Sequence, residues 1–443
     1  MKGFHTTVNR REFMKGLGLA GAGIGAASLV APSFQDMDEM IASPKANFRH
    51  AWWIKEREAY NPTAETDWSQ IVQWKRGPTN PKATPWYLAK GVKDTENIDN
   101  HMSTGKWARP FLAVKAGSSD TLGTAPSQLT KLADEDKWRG TPEEAANIIR
   151  AGMSYLGSPE VHFLRIDEKT RRLFQKDSSL ATIEEGNCKS IIVSMIRKDI
   201  ALSRRGGADP FGYSHNSVIN AREIKFITNL GYNCVSVPNP SNSAFGILSG
   251  GAELSRIDHS CSPRFGMAIK VFNVYATDLE LPEDKPIDAG IFRFCHTCKV
   301  CAENCVLQGD GVSALSMETE PTWDLPTRLP ASDGSTFDYK RPGVKKWFCD
   351  FAYCRCIHAC WQDCTFNQLN NAFAHDLIRM TIPQTGVFNG FFASMDRVFE
   401  YGSKPHEYSP AGYQRTADGV EEWWRRDLTT WPYDVHPGSD NLI

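Results

Sequence analysis

Two runs of four cysteines dominate what this chain can fold into. The first is Cys295, Cys298, Cys301 and Cys305; the second is Cys354, Cys356, Cys360 and Cys364. Counted from the first cysteine of each run, the offsets are 0, 3, 6, 10 and 0, 2, 6, 10. A C-x2-C-x2-C loop wraps three thiolates around one [4Fe–4S] cluster, and the fourth cysteine of the run ligates the neighbouring cluster. The spacing therefore assigns Cys295, Cys298, Cys301 and Cys364 to one cluster, and Cys305, Cys354, Cys356 and Cys360 to a second. Thiols this close together on a tight loop suit disulfide geometry poorly. Zinc sites share the C-x2-C pair but usually take two cysteines, a gap, then two more. The second run departs from the ideal at Cys356, one residue early, and Cys349 just upstream is an alternative ligand. Cys188, Cys234 and Cys261 read as buried small hydrophobes or free thiols.

The N-terminus suits such cargo. Asn9-Arg10-Arg11-Glu12-Phe13-Met14-Lys15 precedes a weakly apolar Gly/Ala run to Ala31. Paired arginines, an apolar residue, a lysine and a mild apolar stretch make a twin-arginine export signal. The many glycines argue against a core helix there. The signal is expected within residues 1–43, with Ala31 and Ser43 as competing cleavage points. That route exports folded proteins, so clusters are inserted before export. No later stretch approaches the about 18 consecutive apolar residues of a membrane span. A formal net charge of −2 gives no electrostatic footprint for nucleic acid.

The remainder divides by pattern. Residues 44–140 are irregular and rich in Pro, Gly, Asn and Trp. Thr141-Pro142-Glu143-Glu144 is a helix start, with Thr141 and Glu144 as a capping box and Pro142 at the first helical position. Ile148, Ile149, Tyr155 and Leu156 are expected on its buried side, and Gly157 ends it. Residues 161–166, 190–195 and 267–275 read as strands. Residues 217–230 read as an amphipathic helix through Ala221, Ile224, Ile227 and Leu230. Residues 243–251 read as a glycine-rich loop. This mixture predicts an α+β domain over residues 141–285, followed by a two-cluster ferredoxin-like domain over 286–385 and a tail over 386–443 packing on the core. There is no G-x-G-x-x-G after a strand, no C-x-x-C-H and no D-x-H-x-x-G. A Rossmann cofactor, attached haem, and a corrinoid held through a histidine on cobalt are therefore unsupported.

In ordered combination the chain resembles the respiratory reductive dehalogenases, exported corrinoid iron–sulfur enzymes. The resemblance rests on the stretch from Arg10 to Gly23, on Lys137-Trp138-Arg139-Gly140-Thr141-Pro142-Glu143-Glu144, and on Leu230-Gly231-Tyr232-Asn233. It continues through Ser243-Ala244-Phe245-Gly246, Leu248-Ser249-Gly250, Lys285-Pro286-Ile287-Asp288-Ala289-Gly290-Ile291, both cysteine runs and Val387-Phe388-Asn389-Gly390-Phe391-Phe392. The chain looks shorter than many relatives, chiefly before residue 140.

The resemblance implies a nitroreductase-like corrinoid-binding core before the ferredoxin-like domain, and a cobalamin-type corrinoid bound base-off beside two [4Fe–4S] clusters. It also implies reductive removal of halide from a small organohalide as the terminal step of organohalide respiration. Relatives carry a proton-donating tyrosine about 17 residues before the L-G-Y; here that is Tyr213. A basic residue on the strand before K-P-I-D corresponds to Lys270. Asn239, Asn242, Ser243, Phe245, Gly246, Ser249 and Gly250 are the expected corrinoid contacts. The implied partners are a small integral-membrane anchor protein and an upstream respiratory electron donor, at the outer face of the cytoplasmic membrane. Two other functions fit parts of the pattern: a periplasmic two-cluster carrier without corrinoid, and an epoxyqueuosine reductase-like corrinoid enzyme. The export signal and the charge oppose the latter; the large domain before residue 286 opposes the former.

Overall fold

A computed structural model describes residues 50–73, 128–175, 179–198, 210–237, 242–305, 313–325, 328–330, 336–338, 341–349, 359–367, 373–398 and 424–425. The expected export signal lies outside them. In chain order the elements that position the site are β1 (Lys55–Glu56), α1 (Pro142–Leu156), β2 (Glu160–Arg165), α2 (Glu168–Leu173), α3 (Ser179–Glu185), β3 (Ser190–Arg197), α4 (Pro210–Asn229) and β4 (Val235–Ser236). Then come α5 (Asn242–Leu248), β5 (Glu253–Leu254), β6 (Ser260–Cys261), β7 (Ile269–Thr277), β8 (Ile287–Asp288), α6 (Ile291–Thr297), α7 (Val300–Glu303), α8 (Ala359–Gln362), α9 (Phe373–Thr381) and α10 (Asn389–Val398). Among the described residues no helix is long and apolar enough to cross a membrane.

The centre is a four-stranded antiparallel sheet in the order β2-β3-β7-β4. All of β3 but its last residue is buried, because both faces of the sheet are covered. Ile191, Val193 and Met195 face one apolar core with Phe245 of α5; Ile192 faces the other, with Ile149 of α1 and Ile224 and Ile227 of α4. This is the two-residue period of a strand. In β7 the period breaks. Ile269 and Val271 share a core with Val274 and Ala276, an odd pair and an even pair on one side. The register explains it: Ser194 pairs with Asn273 and Met195 with Val271, leaving Phe272 as an extra residue. Such a bulge inverts the facing of everything beyond it.

Helix α1 starts as its sequence dictates. Thr141 Oγ1 accepts from Glu144 N at 3.2 Å and Glu144 Oε2 accepts from Thr141 N at 2.8 Å. Gly157 closes the helix at φ 125°. Its buried side is Ala145, Ala146, Ile149 and Met153. Tyr155, expected there, is 87% exposed, because it sits two residues past Met153, about 200° around the helix. Residues 242–248 form α5 rather than an open loop. Gly246 lets that helix lie on β7, since a Cβ there would stand 2.6 Å from Val271 Cγ2.

A further apolar core gathers Phe294 of α6, Val300 and Ala302 of α7, Trp361 of α8, and Phe392 and Ala393 of α10 around the cysteine loops. Cys188, Cys234 and Cys261 are buried as expected, each in a different core.

Candidate functional site

The first cysteine run is held by a sharply turned backbone. Gly290, at φ 78°, caps α6 and presses against the chain at Ile382, where a Cβ would meet Ile382 O at 2.5 Å. Lys299 adopts φ 59°, a left-handed turn between α6 and α7. That turn lies between Cys298 and Cys301 and folds the run back on itself. Arg397 of α10 pairs with Glu303 and reaches Cys298 O at 3.5 Å, fixing the last helix to the loop. The second run is tied in through Asn367, whose Oδ1 accepts from Met267 N at 2.7 Å and whose Nδ2 donates to Trp361 O at 2.7 Å.

These ties bring thiols of both runs to one small cavity. Cys295, Cys298, Cys301 and Cys364 line it, the four residues that spacing alone assigns to one cluster. Cys360, assigned to the second cluster, also borders it. Cys305 does not line it, and its Sγ instead accepts from Ala314 N at 3.4 Å. Cys354 and Cys356 lie outside the described residues. Cys349 is buried in the same apolar core and pairs with Leu315. Among the described residues no three His, Cys, Asp or Glu side chains converge on a single metal ion. Thiols spread around an open space suit a multi-iron cluster better than one ion. Burial pushes the Cys295 and Cys301 thiols up, and the neighbouring thiols push the same way, while Arg256 acts in the opposite direction. Thiolates in so apolar a space need bound cations, which an iron–sulfur core supplies. The residues present fit that group.

Trp361 packs in the same apolar core as the first-run cysteines and meets lysines at the end of the sheet. Lys198, 2% exposed, places Nζ 3.5 Å from the Trp361 ring centroid. Lys270, the expected basic residue, places Nζ 5.5 Å from the same ring and 5.3 Å from that of Phe272. Lys270 and Ile196 are direct partners across β7 and β3, so the two lysines leave adjacent strands at one end of the sheet. The His259 ring meets Trp361 edge-on at 4.6 Å, and its Nδ1 lies 3.1 Å from Ser243 Oγ. Lys198, Lys270 and His259 thus gather on the Trp361 ring, a cationic and aromatic cluster whose chemistry suits an anion.

Tyr213 falls in the first turn of α4, its side chain outside the described residues. Asn239 is also outside them. Asn242 donates to Phe272 O at 3.2 Å, and Ser243 contacts His259; both lie half-buried at the start of α5. Phe245, Gly246, Ser249 and Gly250 are buried against protein. Phe245 packs on Phe174 at 6.1 Å, and Ser249 Oγ donates to Gly246 O at 3.5 Å. Gly250, at φ 81°, abuts Lys285 O. These four shape the helix that carries Asn242 and Ser243.

Two buried carboxylates brace the site, and neither has a sequence signature. Glu223 of α4 accepts from Ser158 (2.5 Å) and Ser194 (2.8 Å) at Oε1, and from Asn273 (3.0 Å) and Tyr275 (2.6 Å) at Oε2. Burial pushes this carboxyl up, and the four bonds pull it back. The network locks the helix bearing Tyr213 onto β3 and β7. Glu253 accepts from Thr63 Oγ1 at 2.8 Å, and from Ala289 N and Ile291 N at 2.9 Å each, so it caps the helix that opens the first cysteine run. Burial pushes Glu253 up to about 7 from 4.5. An acid raised on folding favours the native state most when both states are protonated. Its contribution is therefore full below pH 4.5 and is lost as pH rises to about 7. The raised value corresponds to on the order of 3 kcal/mol. Across that window the wild type is expected to lose this much stability relative to Glu253→Gln, which mimics the neutral acid. Anaerobic denaturant titrations at several pH values check this, and parallel curves for the two proteins would refute it.

No protein-family model matches the chain. It is similar to the trichloroethene reductive dehalogenase of Dehalococcoides mccartyi, 26% identical over 95% of this chain and 97% of the relative. It is equally similar to the chloroethene reductive dehalogenase of another strain of that species, 26% identical over 99% of this chain and all of the relative. Among solved structures it resembles a catabolic reductive dehalogenase with a TM-score of 0.61 at 15% identity, covering 86% of this chain and 53% of that one. The chain thus spans about half the length of that solved structure.

Proposed function

We infer that the chain, a member of the reductive dehalogenase family, is the catalytic subunit of an oxidoreductase that removes halide reductively from a small organohalide. The observation that carries this reading is the convergence of Cys295, Cys298, Cys301 and Cys364 on one cavity, with Lys198, Lys270 and His259 gathered on the Trp361 ring of the same apolar core. In this reading the sheet domain over residues 141–285 is nitroreductase-like and holds a base-off corrinoid. Residues 286–385 form the ferredoxin-like domain with two [4Fe–4S] clusters.

Replacing a carbon–halogen bond by a carbon–hydrogen bond takes two electrons and one proton and releases halide. The bound corrinoid and clusters supply the electrons. The chain must supply the proton, exclude water and receive the halide. Tyr213 at the start of α4 is the proton donor. Lys270 is the cation that stabilises the phenolate left behind and attracts the departing halide. Asn242 and Ser243, at the start of α5 beside Phe272 and His259, contact the corrinoid edge. The Trp361 and Phe272 rings against Lys270 lower the polarity around its charge, which strengthens its interaction with the phenolate and halide. Export by the twin-arginine route places the enzyme at the outer face of the cytoplasmic membrane, with a small integral-membrane anchor and an upstream electron donor as partners.

The test is composition before activity. Protein reconstituted anaerobically is expected to hold about eight irons, as two four-iron clusters require, and one cobalt per chain. It should then release halide from a panel of haloethenes, haloalkanes and haloaromatics given a low-potential donor. Full iron without cobalt would leave an electron carrier and remove the basis for Tyr213 and Lys270.

A further inference from the structure

Arg256 lies on the turn between β5 and β6, is 1% exposed, and borders the thiol cavity beside Cys295. Its Nε and Nη2 donate to Cys295 O at 3.1 and 2.6 Å. Its Nη1 donates to Ser316 O at 2.9 Å and Glu318 O at 2.6 Å. The Trp347 ring lies 4.5 Å from the guanidinium carbon. Every acceptor is a backbone carbonyl, and among the described residues no carboxylate pairs with it. A buried charge without a counter-charge is costly, and proteins seldom retain one unpaired. Two other charged residues border the cavity, Lys299 and Asp363, and they are of opposite sign. Asp363 is buried while Lys299 is half-buried and donates to Thr319, so Arg256 is the buried cation of the lining.

The geometry points to Arg256 as the built-in counter-charge of the cluster held by Cys295, Cys298, Cys301 and Cys364, a positioning residue that raises that cluster's reduction potential; the proposal rests on the cluster reading above. A [4Fe–4S] core with four thiolates is negatively charged in both working oxidation states and gains one more negative charge on reduction. A fixed cation therefore favours the reduced form over the oxidised one. Cluster potentials respond to net charge, hydrogen bonding and exposure, and a buried site screens the cation little. Three carbonyls clamp the guanidinium, so it needs no reorganisation when the electron arrives. The cluster of this cavity is thus set at a higher potential than its thiolates alone would give, which draws electrons towards it from the second cluster.

The experiment is an EPR-monitored redox titration of the reconstituted full chain, comparing wild type with Arg256→Met, Arg256→Gln and Arg256→Lys. In the neutral variants one cluster is expected to become at least tenfold harder to reduce, about 59 mV more negative for one electron, while the other stays put. Arg256→Lys, which keeps the charge, should move less than half as far. An iron-replete Arg256→Met with both midpoints unchanged overturns the proposal, as does a lysine variant displaced as far as the neutral ones. Loss of iron from both neutral variants would make Arg256 a structural clamp and also overturn it. A wild type that binds no iron would instead sink the cluster reading itself, before any substitution is compared.

Discussion

Replacing Cys364 by alanine is expected to empty the cluster site of the first cysteine run, although Cys364 belongs to the second. Iron should fall from about eight to about four per chain, as removal of one four-iron cluster requires. Cys295, Cys298 and Cys301 supply three ligands from one loop, and Cys364 completes the cavity they line. Its Sγ also lies 4.0 Å from Cys261 Sγ, so a neighbouring thiol exists that could take over. The double variant Cys261→Ala with Cys364→Ala separates that rescue from a true loss. Cys305→Ala is expected to remove the other cluster and leave this one, because Cys305 does not line the cavity. Iron and sulfide counts with the EPR spectrum of each variant decide it. If Cys364→Ala and Cys305→Ala lost the same cluster, the crossed assignment would be wrong. Turnover should vanish in both, since each breaks the relay.

That Cys364 meets the first-run thiols at one cavity was legible in the cysteine spacing, because ligand geometry leaves few ways to wrap thiols around adjacent clusters; the division of the eight cysteines between two clusters is what the iron counts test. The start of α1 was legible for a similar reason: a capping box is a local reciprocal bond, needing nothing beyond Thr141, Glu144 and the backbone between them. What escaped the sequence depends on distant partners. The glycines and serines of 243–251 look like a cofactor loop, yet Gly246 answers to Val271 and Gly250 to Lys285. Small residues read the same whether a ligand or another strand presses on them. The inverted facing within β7 follows from one inserted residue, Phe272, and an apolar run carries no mark of a bulge. Glu223, Glu253 and Arg256 are ordinary charged letters until the fold buries them. Lys198 was missed because a lysine at the end of an apolar strand usually reaches solvent, whereas here it lies on Trp361.

Tyr213→Phe is expected to lower turnover by about 10²–10⁴-fold, the usual range for loss of a general acid, with iron and cobalt content unchanged. Phenylalanine keeps the ring and deletes only the donor. Lys270→Met should also reduce turnover while leaving both cofactors in place. The informative result is the pair. If Lys270 works by stabilising the phenolate of Tyr213, its removal has little left to disturb once the phenol is gone. The double variant should then be about as slow as Tyr213→Phe alone, the non-additivity of residues that act as one unit. If Lys270 serves the halide independently, the two losses should multiply. Solvent deuterium separates chemistry from binding: a proton-transfer isotope effect in the wild type should disappear in Tyr213→Phe. A phenylalanine variant that keeps wild-type turnover and isotope effect would place the acid elsewhere. Lys198 would then be the next residue to replace, since it shares the Trp361 wall with Lys270.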